Sequence, residues 1–388
     1  MEDNLLQIKR FVPLLLGLLL SNALISCASD NRPKPQPMPK ITNEVTLKKG
    51  WTQSSMQSSL AGSFAPVLFD GTIFTADSEG DVFKIDPSDG SIIKDYSIYG
   101  EGNISSGVGV SGSNMFVTTD KGTLLAIDKG TGKIAWKAQL PTLSLEAPQV
   151  ARDIVVVKTN DAEVLAYNAN DGTPLWVYQK PIPPLTLRAI NTFTIIGGEV
   201  VAVGLPGGKL ALLNLFSGTP IWENYIAIPA GATDLDKMTD IAMRPEIGKD
   251  RIMCVATYNG KIACVDAMSS NVMWQKPFSS SQGVALDEQN LYAVSQDGVV
   301  YAFDKVSGTQ VWFNDTMKYR HLSMPAILGN GVLSVDDEGN VHMFNRNDGH
   351  EMARISSSLV GGVSVPLVRD DGVFFQSANG NLVQIKNY

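Results

Sequence analysis

Residues that could carry enzymatic or metal chemistry are few in this sequence. Its three histidines, His321, His342 and His350, show no ligand spacing along a strand, and the sequence contains no Cys-x-x-Cys pair. The run from Asp234 to Asp240 lacks the glycine and the closing glutamate of a calcium loop. The segment from Gly100 to Ser105 lacks the third glycine of a dinucleotide fingerprint. The sequence therefore predicts no catalytic residue, no metal site and no cofactor.

One cysteine occupies a position typical of a covalent modification. Cys27 follows Leu24-Ile25-Ser26, at the end of an apolar run over 11–25 that comes after Lys9 and Arg10. The run is short for a membrane span and is typical of a secretory signal. The three residues before Cys27 match a bacterial lipobox, which predicts a lipoprotein signal peptide over 1–26 and a lipidated Cys27. The alternative is an ordinary signal peptide with an incidental cysteine.

A proline-rich segment follows. Residues 29–39 read Ser-Asp-Asn-Arg-Pro-Lys-Pro-Gln-Pro-Met-Pro. Alternating prolines favour extended polyproline geometry and cannot join a sheet. We assign 27–42 to the lipidated cysteine and a spacer, and 43–388 to the folded domain.

The elements that must position any site come from a repeat of about 40 residues, a period typical of β-propellers. Each copy alternates apolar and polar residues on both sides of a turn, which indicates strands. The spacing between successive turns is 38 to 52 residues. The turns are marked by Gly80, Gly122, Ala162, Gly208, Gly260, Gly298, Gly339 and Gly380. Eight marker turns predict an all-β, eight-bladed propeller with four antiparallel strands in each blade.

Tryptophans recur at one phase of this repeat. Five of them stand four residues after a turn position: Trp136, Trp176, Trp222, Trp274 and Trp312. A stacking platform for a cofactor or a sugar is one interpretation, but recurrence at one phase favours packing of each blade on the next. Blades one and seven have Lys94 and Ala353 at this position, which predicts weaker packing there.

The last copy stops at Tyr388 without room for an outer strand. The sixth tryptophan, Trp51, lies far upstream in an apolar–polar segment. We expect this N-terminal segment, residues 45–53, to supply the outer strand of blade eight. Closing the ring in this way removes an open sheet edge.

The charge of the chain limits its possible partners, and the positions of two cysteines bear on whether they form a disulfide. The net charge is −8, with 31 basic and 39 acidic residues interspersed, which argues against a nucleic-acid partner. Cys254 and Cys264 flank the turn at Asn259-Gly260. A loop of two or four residues would pair positions whose numbers have an odd sum, so these side chains would point to opposite faces. We therefore expect no disulfide between them.

Two connections are longer than the others and fall on one rim of the ring, around blades three to five. The first contains Leu185, Leu187 and Arg188 in a proline-held extended segment, and the second contains Asp240. Exposed leucines beside an arginine are typical of binding hot spots, and long loops on rigid scaffolds often bind partners. The sequence predicts a protein-docking patch, unless both leucines fold back onto the blade.

Taken together, the signal, Cys27, the spacer and the tryptophan-marked blades resemble the BamB family of outer-membrane β-barrel assembly lipoproteins. The segment Leu185-Thr-Leu187-Arg188 resembles the family's Leu-x-Leu-Arg segment, which docks on the periplasmic domains of BamA. The family's Asp-x-Asp corresponds to Asp240-Ile-Ala242, so only Asp240 matches. The resemblance implies a non-enzymatic scaffold with no cofactor that assists the insertion of outer-membrane proteins, with unfolded outer-membrane proteins as further partners. No aspartate follows Cys27. In this respect the sequence resembles Gram-negative lipoproteins that are sorted to the outer membrane, which implies the same location here.

Two other functions stay open at this stage. A pyrroloquinoline-quinone dehydrogenase shares the blade repeat, although adjacent cysteines and a calcium loop are missing here. A lipid-anchored propeller that binds peptides or cell-wall sugars through its central channel is the second alternative.

Overall fold

A computed structural model describes residues 33–57, 64–187 and 191–387. Regular structure in these ranges consists of β-strands arranged as eight four-stranded antiparallel sheets. This confirms the predicted eight-bladed propeller. Across the same ranges, no helix is long and apolar enough to cross a membrane. The predicted signal peptide and Cys27 lie outside the described residues.

Each blade runs from an inner strand near the axis to an outer strand. The strands of blades one to four are β2 (Val67–Phe69), β3 (Thr72–Ala76), β4 (Asp81–Ile85) and β5 (Ile92–Ser97); β6 (Gly109–Val110), β7 (Asn114–Thr118), β8 (Thr123–Asp128) and β9 (Ile134–Gln139); β10 (Gln149–Ala151), β11 (Ile154–Lys158), β12 (Val164–Asn168) and β13 (Pro174–Tyr178); β14 (Phe193–Ile196), β15 (Val200–Leu205), β16 (Lys209–Asn214) and β17 (Pro220–Tyr225).

Blades five to eight follow the same plan, except that the outer strand of blade eight is β1, the first strand in the chain. Their strands are β18 (Glu246–Ile247), β19 (Ile252–Ala256), β20 (Gly260–Asp266) and β21 (Asn271–Phe278); β22 (Val284–Leu286), β23 (Asn290–Val294), β24 (Val300–Asp304) and β25 (Gln310–Asn314); β26 (Ala326–Leu328), β27 (Gly331–Val335), β28 (Asn340–Asn345) and β29 (Glu351–Ser356); β30 (Leu367–Arg369), β31 (Gly372–Gln376), β32 (Leu382–Asn387) and β1 (Leu47–Gln53).

Burial decreases from the middle of each blade outward. All five residues of β7, β11 and β19 are buried, since both faces of these strands meet neighbouring blades. The outer strand β13 has three of its five residues exposed. Apolar side chains from adjacent blades therefore form the core as a series of clusters between blades.

The chain ends close the ring. β1 pairs antiparallel with β32, from Leu47 opposite Asn387 to Gln53 opposite Leu382. Blade eight then contacts blade one, where the Gln376 side-chain amide donates to the Ala76 carbonyl at 3.0 Å. The expectation that an N-terminal strand completes blade eight is confirmed, and the last sheet has four strands like the others.

The expected absence of a disulfide is wrong. Cys254 and Cys264 lie directly opposite each other on β19 and β20, with their Cα atoms 4.1 Å apart, and they form a disulfide that is fully buried. The Thr257 N–H donates to the Lys261 carbonyl at 2.8 Å, so the connection holds three residues, Tyr258 to Gly260. An odd loop length pairs positions whose numbers have an even sum, and both side chains then share one face.

The propeller unit begins at Pro35, within the segment predicted as a spacer. Residues from Gln36 onward make hydrogen bonds to blade seven and to the connection that leads into it, for example from the Gln36 N–H to the Lys318 carbonyl of that connection at 3.0 Å. The prolines keep this stretch free of sheet pairing, but it is attached to the propeller.

Candidate functional site

The two long connections lie on the rim that carries the marker turns. Loop one, residues 179–192, joins β13 to β14, and loop two, residues 226–245, joins β17 to β18. The hairpin between β15 and β16, at Pro206 to Gly208, lies between them. We call these two loops and this hairpin the loop patch.

A buried carboxylate joins the three parts of the loop patch. Asp240 is only 2% exposed. One of its oxygens accepts a hydrogen bond from the Leu187 N–H at 2.5 Å, and the other accepts one from the Gly207 N–H at 2.7 Å. Its own carbonyl accepts from the Tyr258 N–H at 2.8 Å. Asp240, which the sequence placed among partner contacts, therefore uses its carboxylate internally and positions loop one.

Further contacts fix the end of loop one. The Arg244 N–H of loop two donates to the Asn191 carbonyl at 2.6 Å. Thr192 donates its N–H and its hydroxyl to the Glu146 carboxylate, each at 2.7 Å, and Lys158 contacts the same carboxylate at 2.8 Å. Glu146 and Lys158 are both buried. A fully paired buried charge of this kind holds the loop end in one place.

Sequence reasoning missed Glu146, Lys158 and Thr192. The available signal was Lys158 at the end of the apolar run Ile154-Val-Val-Val, because a lysine in a buried strand requires a charged partner. The identity of that partner depends on contacts between blades two, three and four, which one sequence does not reveal.

Apolar side chains remain exposed at this rim. Leu185 is 41% exposed, Leu187 is half-buried, and the neighbouring prolines keep the segment out of the sheets. Arg188 lies outside the described residues. The structure therefore brings Leu185, Leu187 and Asp240 together, with one leucine facing solvent and the carboxylate behind them.

An apolar groove is lined in part by the start of loop one. It has a volume of about 480 Å³ and lies between the start of loop one and the start of loop two, over the β15–β16 hairpin. Ile182, Pro183, Pro206, Tyr225 and Ile228 contribute to its walls. Exposed apolar surface that is concave and rimmed by polar residues is typical of a binding site.

Charged groups border the groove and are held in place. The Tyr178 hydroxyl donates to Glu223 at 2.5 Å, and the Lys180 ammonium lies 3.2 Å from the same carboxylate. Burial and the Glu223 carboxylate raise the pKa of Tyr178. Burial opposes ionisation of Glu223, but the Tyr178 hydroxyl and the Lys180 ammonium outweigh it and lower the pKa of Glu223. At neutral pH the groove edge therefore carries fixed charges.

The recurring tryptophans lie at the seams between blades. The Trp136 indole N–H donates to the Ala169 carbonyl of the next blade at 3.1 Å, and its ring covers Gly172. A Cβ at Gly172 would lie 2.6 Å from the ring, and φ there is +75°, so the turn requires glycine. The equivalent indole bonds run from Trp51 to Pro87, Trp176 to Leu215, Trp274 to Lys305 and Trp312 to Arg346.

The seam between blades four and five differs. The turn that faces Trp222 has Ser270 in place of glycine, with φ of +59°. In the described part of the chain, the Trp222 indole makes no hydrogen bond to the next blade, although its ring packs in the cluster between them. The seam beside loop two thus lacks one of the contacts that the other tryptophan seams have.

A local irregularity directs each ring toward the next blade. The ladder between the third and fourth strands shifts register beside Trp136, Trp176 and Trp312 in the same way. Such a bulge bends the outer strand and re-aims a side chain. In blade one, Lys94 occupies this position, and its ammonium donates to the Gly130 carbonyl of blade two at 2.8 Å.

Comparison with known proteins identifies the family. A family model described as outer membrane protein assembly factor BamB matches residues 97–314 and 296–387. The outer membrane protein assembly factor BamB of Bordetella pertussis is 37% identical to this chain, over 96% of this chain and 95% of its own length. That of Burkholderia pseudomallei is 32% identical, over 91% and 93% respectively.

Solved structures agree on the fold. BamB from Moraxella catarrhalis superposes with a TM-score of 0.79 at 26% identity, covering 88% of this chain and 100% of that one. A quinohemoprotein alcohol dehydrogenase from Comamonas testosteroni superposes with a TM-score of 0.67 at 13% identity, over 88% of this chain and 76% of its own. The second likeness shows a shared propeller fold and nothing about activity. From the family match and the full-length relatives, it follows that this chain belongs to the BamB family of outer-membrane protein assembly factors.

Proposed function

We propose that this protein is a non-enzymatic scaffold of the outer-membrane β-barrel assembly machinery, which docks on the periplasmic domains of BamA through the loop patch. The observation that carries the proposal is the geometry of Leu185. Its side chain is exposed on loop one, the same loop that contributes Ile182 and Pro183 to an apolar groove, while Asp240 holds the Leu187 backbone. A leucine presented in this way loses little conformational freedom on binding.

The proposed contact combines apolar and charged surface. Leu185 and Leu187 would fill a complementary surface on BamA, and Arg188 would add a charged hydrogen bond at the edge. Such anchors often account for most of the binding free energy of an interface. Unfolded outer-membrane proteins are a second proposed partner, and the groove offers them an apolar surface.

The test is capture of the purified periplasmic domains of BamA by the full chain. We expect Leu185→Ala combined with Arg188→Glu to weaken binding by at least about tenfold, the loss typical of hot-spot residues. A matched control is Leu68→Ala, because Leu68 is 39% exposed but lies on β2 in blade one. Equal affinity of the double variant and the control, with both folded, would exclude the loop patch as the docking site.

We also propose that the protein is anchored to the periplasmic face of the outer membrane by a lipid on Cys27. The support is the lipobox sequence before Cys27 and the absence of aspartate after it. Mass spectrometry of the membrane-extracted protein tests this. A mature N-terminus at Cys27 with an acyl mass is expected, and Cys27→Ser should release the protein from the membrane fraction.

A further inference from the structure

The segment before β1 lies along blade seven. We call residues 36–44 the strap. At one end the Gln36 N–H donates to the Lys318 carbonyl at 3.0 Å, and at the other the Glu44 N–H donates to the Met352 carbonyl at 2.8 Å. Between them, Met38 packs against the apolar cluster of blades six and seven. The strap thus covers the flank of blade seven from one rim to the other.

The strap also covers the edge of β29. The Asn43 side chain accepts from the Arg354 N–H at 3.0 Å and donates to the Arg354 carbonyl at 3.1 Å. These two bonds satisfy backbone groups that an outer strand would otherwise present to solvent. An uncovered edge of this kind is a template for pairing with another chain.

Two arginines hold the strap from the blade side. The Arg320 Nε donates to the Gln36 carbonyl at 3.0 Å, and the Arg354 Nη1 donates to the Pro39 carbonyl at 3.1 Å. Each arginine also contacts a buried carboxylate. Arg320 lies 3.6 Å from Asp336, and the Arg354 Nε donates to Glu351 at 2.8 Å.

A fully buried histidine lies between these carboxylates. His342, 0% exposed, has its Nδ1 2.7 Å from Glu351 and its Nε2 3.3 Å from Asp336. A neutral imidazole has one donor and one acceptor, so both contacts are favourable only when both nitrogens carry protons. The two carboxylates lie on opposite sides of the ring. Throughout the described ranges, no three such groups converge to hold a metal ion.

The charges around His342 alternate in sign. The order from one end of the strap to the other is Arg320, Asp336, His342, Glu351 and Arg354. Glu338 contacts Arg320 at the outer end at 3.1 Å, and the Phe344 ring stacks on the imidazole. The described strap residues that pack against this network, Gln36, Met38 and Pro39, do not titrate.

We propose that the strap is a latch controlled by the protonation of His342. When His342 is charged, Asp336 and Glu351 are fixed between it and the two arginines, and the arginines hold the strap carbonyls. When His342 loses a proton, one carboxylate faces a ring lone pair. The network then rearranges, the arginines release the strap, and the edge of β29 becomes accessible. This proposal is independent of docking on BamA.

The direction of the pH dependence follows from the contacts. Burial alone would lower the pKa of His342, but the hydrogen bonds to Asp336 and Glu351 outweigh it and raise that pKa above its ordinary value. A group with a raised pKa in the folded state stabilises that state fully below its ordinary pKa, and the stabilisation is lost as pH rises through the raised value. The latch is therefore closed at mildly acidic pH and opens as pH rises.

Hydrogen exchange of the Gln36 and Glu44 amides in the full chain, corrected for the intrinsic effect of pH, measures the latch directly. Between the ordinary histidine pKa and the raised pKa of His342 we expect exchange of both amides to increase by up to about tenfold per pH unit, because loss of the proton favours the open state in that range, and to level off above it. Strand amides of β27 and β28 should keep their protection. No change at the strap amides, or equal loss of protection in β27 and β28, would overturn the proposal.

Two variants separate His342 from its surroundings. We expect His342→Gln to remove the pH dependence and leave the strap amides unprotected at every pH. The matched control is His350→Gln, which removes a histidine that contacts Glu44 of the strap from the exposed side. If His350→Gln lost the pH dependence and His342→Gln kept it, the switch would be His350 and the proposal would be wrong. The pH series on the unaltered protein decides the question even if His342→Gln does not fold.

Discussion

The loop patch at blades three to five and the strap on blade seven are both held by buried carboxylates, but the partners of those carboxylates differ. Asp240 accepts hydrogen bonds from two backbone N–H groups, Leu187 and Gly207, which do not titrate. Asp336 and Glu351 share a histidine. The donors that hold the loop patch therefore carry no titratable proton, whereas the strap depends on a proton on His342.

The loop patch and the strap also differ in what they expose to solvent. Loop one leaves Leu185 exposed, whereas the strap covers the backbone edge of β29. The same chain thus keeps one apolar surface open on a rigid support and protects another surface with its own N-terminal segment. A docking surface gains from rigidity because fewer degrees of freedom are lost on binding.

Weakening the contact between blades three and four, next to the loop patch, should have the largest effect on stability. Trp176 bonds the Leu215 carbonyl at 2.8 Å and covers Gly218, so Trp176→Ala leaves a cavity and an unpaired carbonyl between blades three and four. We expect a loss of about 3–5 kcal/mol in the free energy of unfolding, measured with denaturant. Trp222→Ala should cost less, because no indole bond is lost there. Equal losses of unfolding free energy for the two variants would mean that the indole hydrogen bond to the next blade does not contribute measurably to stability.

The disulfide of blade five comes next in size. Cys254 and Cys264 close a short loop in the blade whose seam with blade four lacks the indole bond. We expect Cys254→Ala with Cys264→Ala to cost about 2–3 kcal/mol of unfolding free energy, the value for a loop of this length. BamA capture should be unchanged, since neither side chain reaches the surface. A variant as stable as the parent in denaturant would contradict this.

Changing the carboxylate behind loop one tests the comparison itself. Asp240→Asn leaves one acceptor oxygen and places an amide donor against a backbone N–H. We expect a cost of about 1–3 kcal/mol, typical of an unsatisfied buried donor. Hydrogen exchange of the Leu187 and Gly207 amides should increase by the same factor at every pH. If exchange of these amides increased with pH as it does at the strap, the loop patch and the strap would not differ in their dependence on a proton.

The sequence was sufficient for features that repeat locally. Eight marker turns and strand alternation predict the blades, and the short last copy with Trp51 upstream predicts how the ring closes. Each of these depends on residues that are close in the chain or repeated at a fixed phase. The disulfide was misjudged because Asn259-Gly260 does not reveal that three residues separate the paired ends of the strands.

Contacts between distant residues could not be predicted in this way. The burial of Asp240 depends on loop one, 53 residues earlier, and the attachment of the strap depends on Arg320, 284 residues after Gln36. The prolines before β1 indicate an extended segment, but they do not indicate which surface it contacts. The role of Leu185 in docking stays a prediction, which rests on its position in one of the two longest connections between blades.

The smallest effect is expected at the exposed end of the strap. His350 contacts Glu44 at 3.0 Å and Asp348 at 2.6 Å, and its side chain is 42% exposed. These contacts raise the pKa of His350, so the stabilisation they provide is present below the ordinary histidine pKa and is lost as pH rises through the raised value. Glu44→Gln should lower the pKa of His350, measured by NMR titration, and change the unfolding free energy by less than about 1 kcal/mol, because solvent screens the pair. The strap amides should stay protected at mildly acidic pH. If this variant released the strap as fully as His342→Gln, a surface ion pair rather than the buried network would hold it, and the contrast with the loop patch would no longer stand.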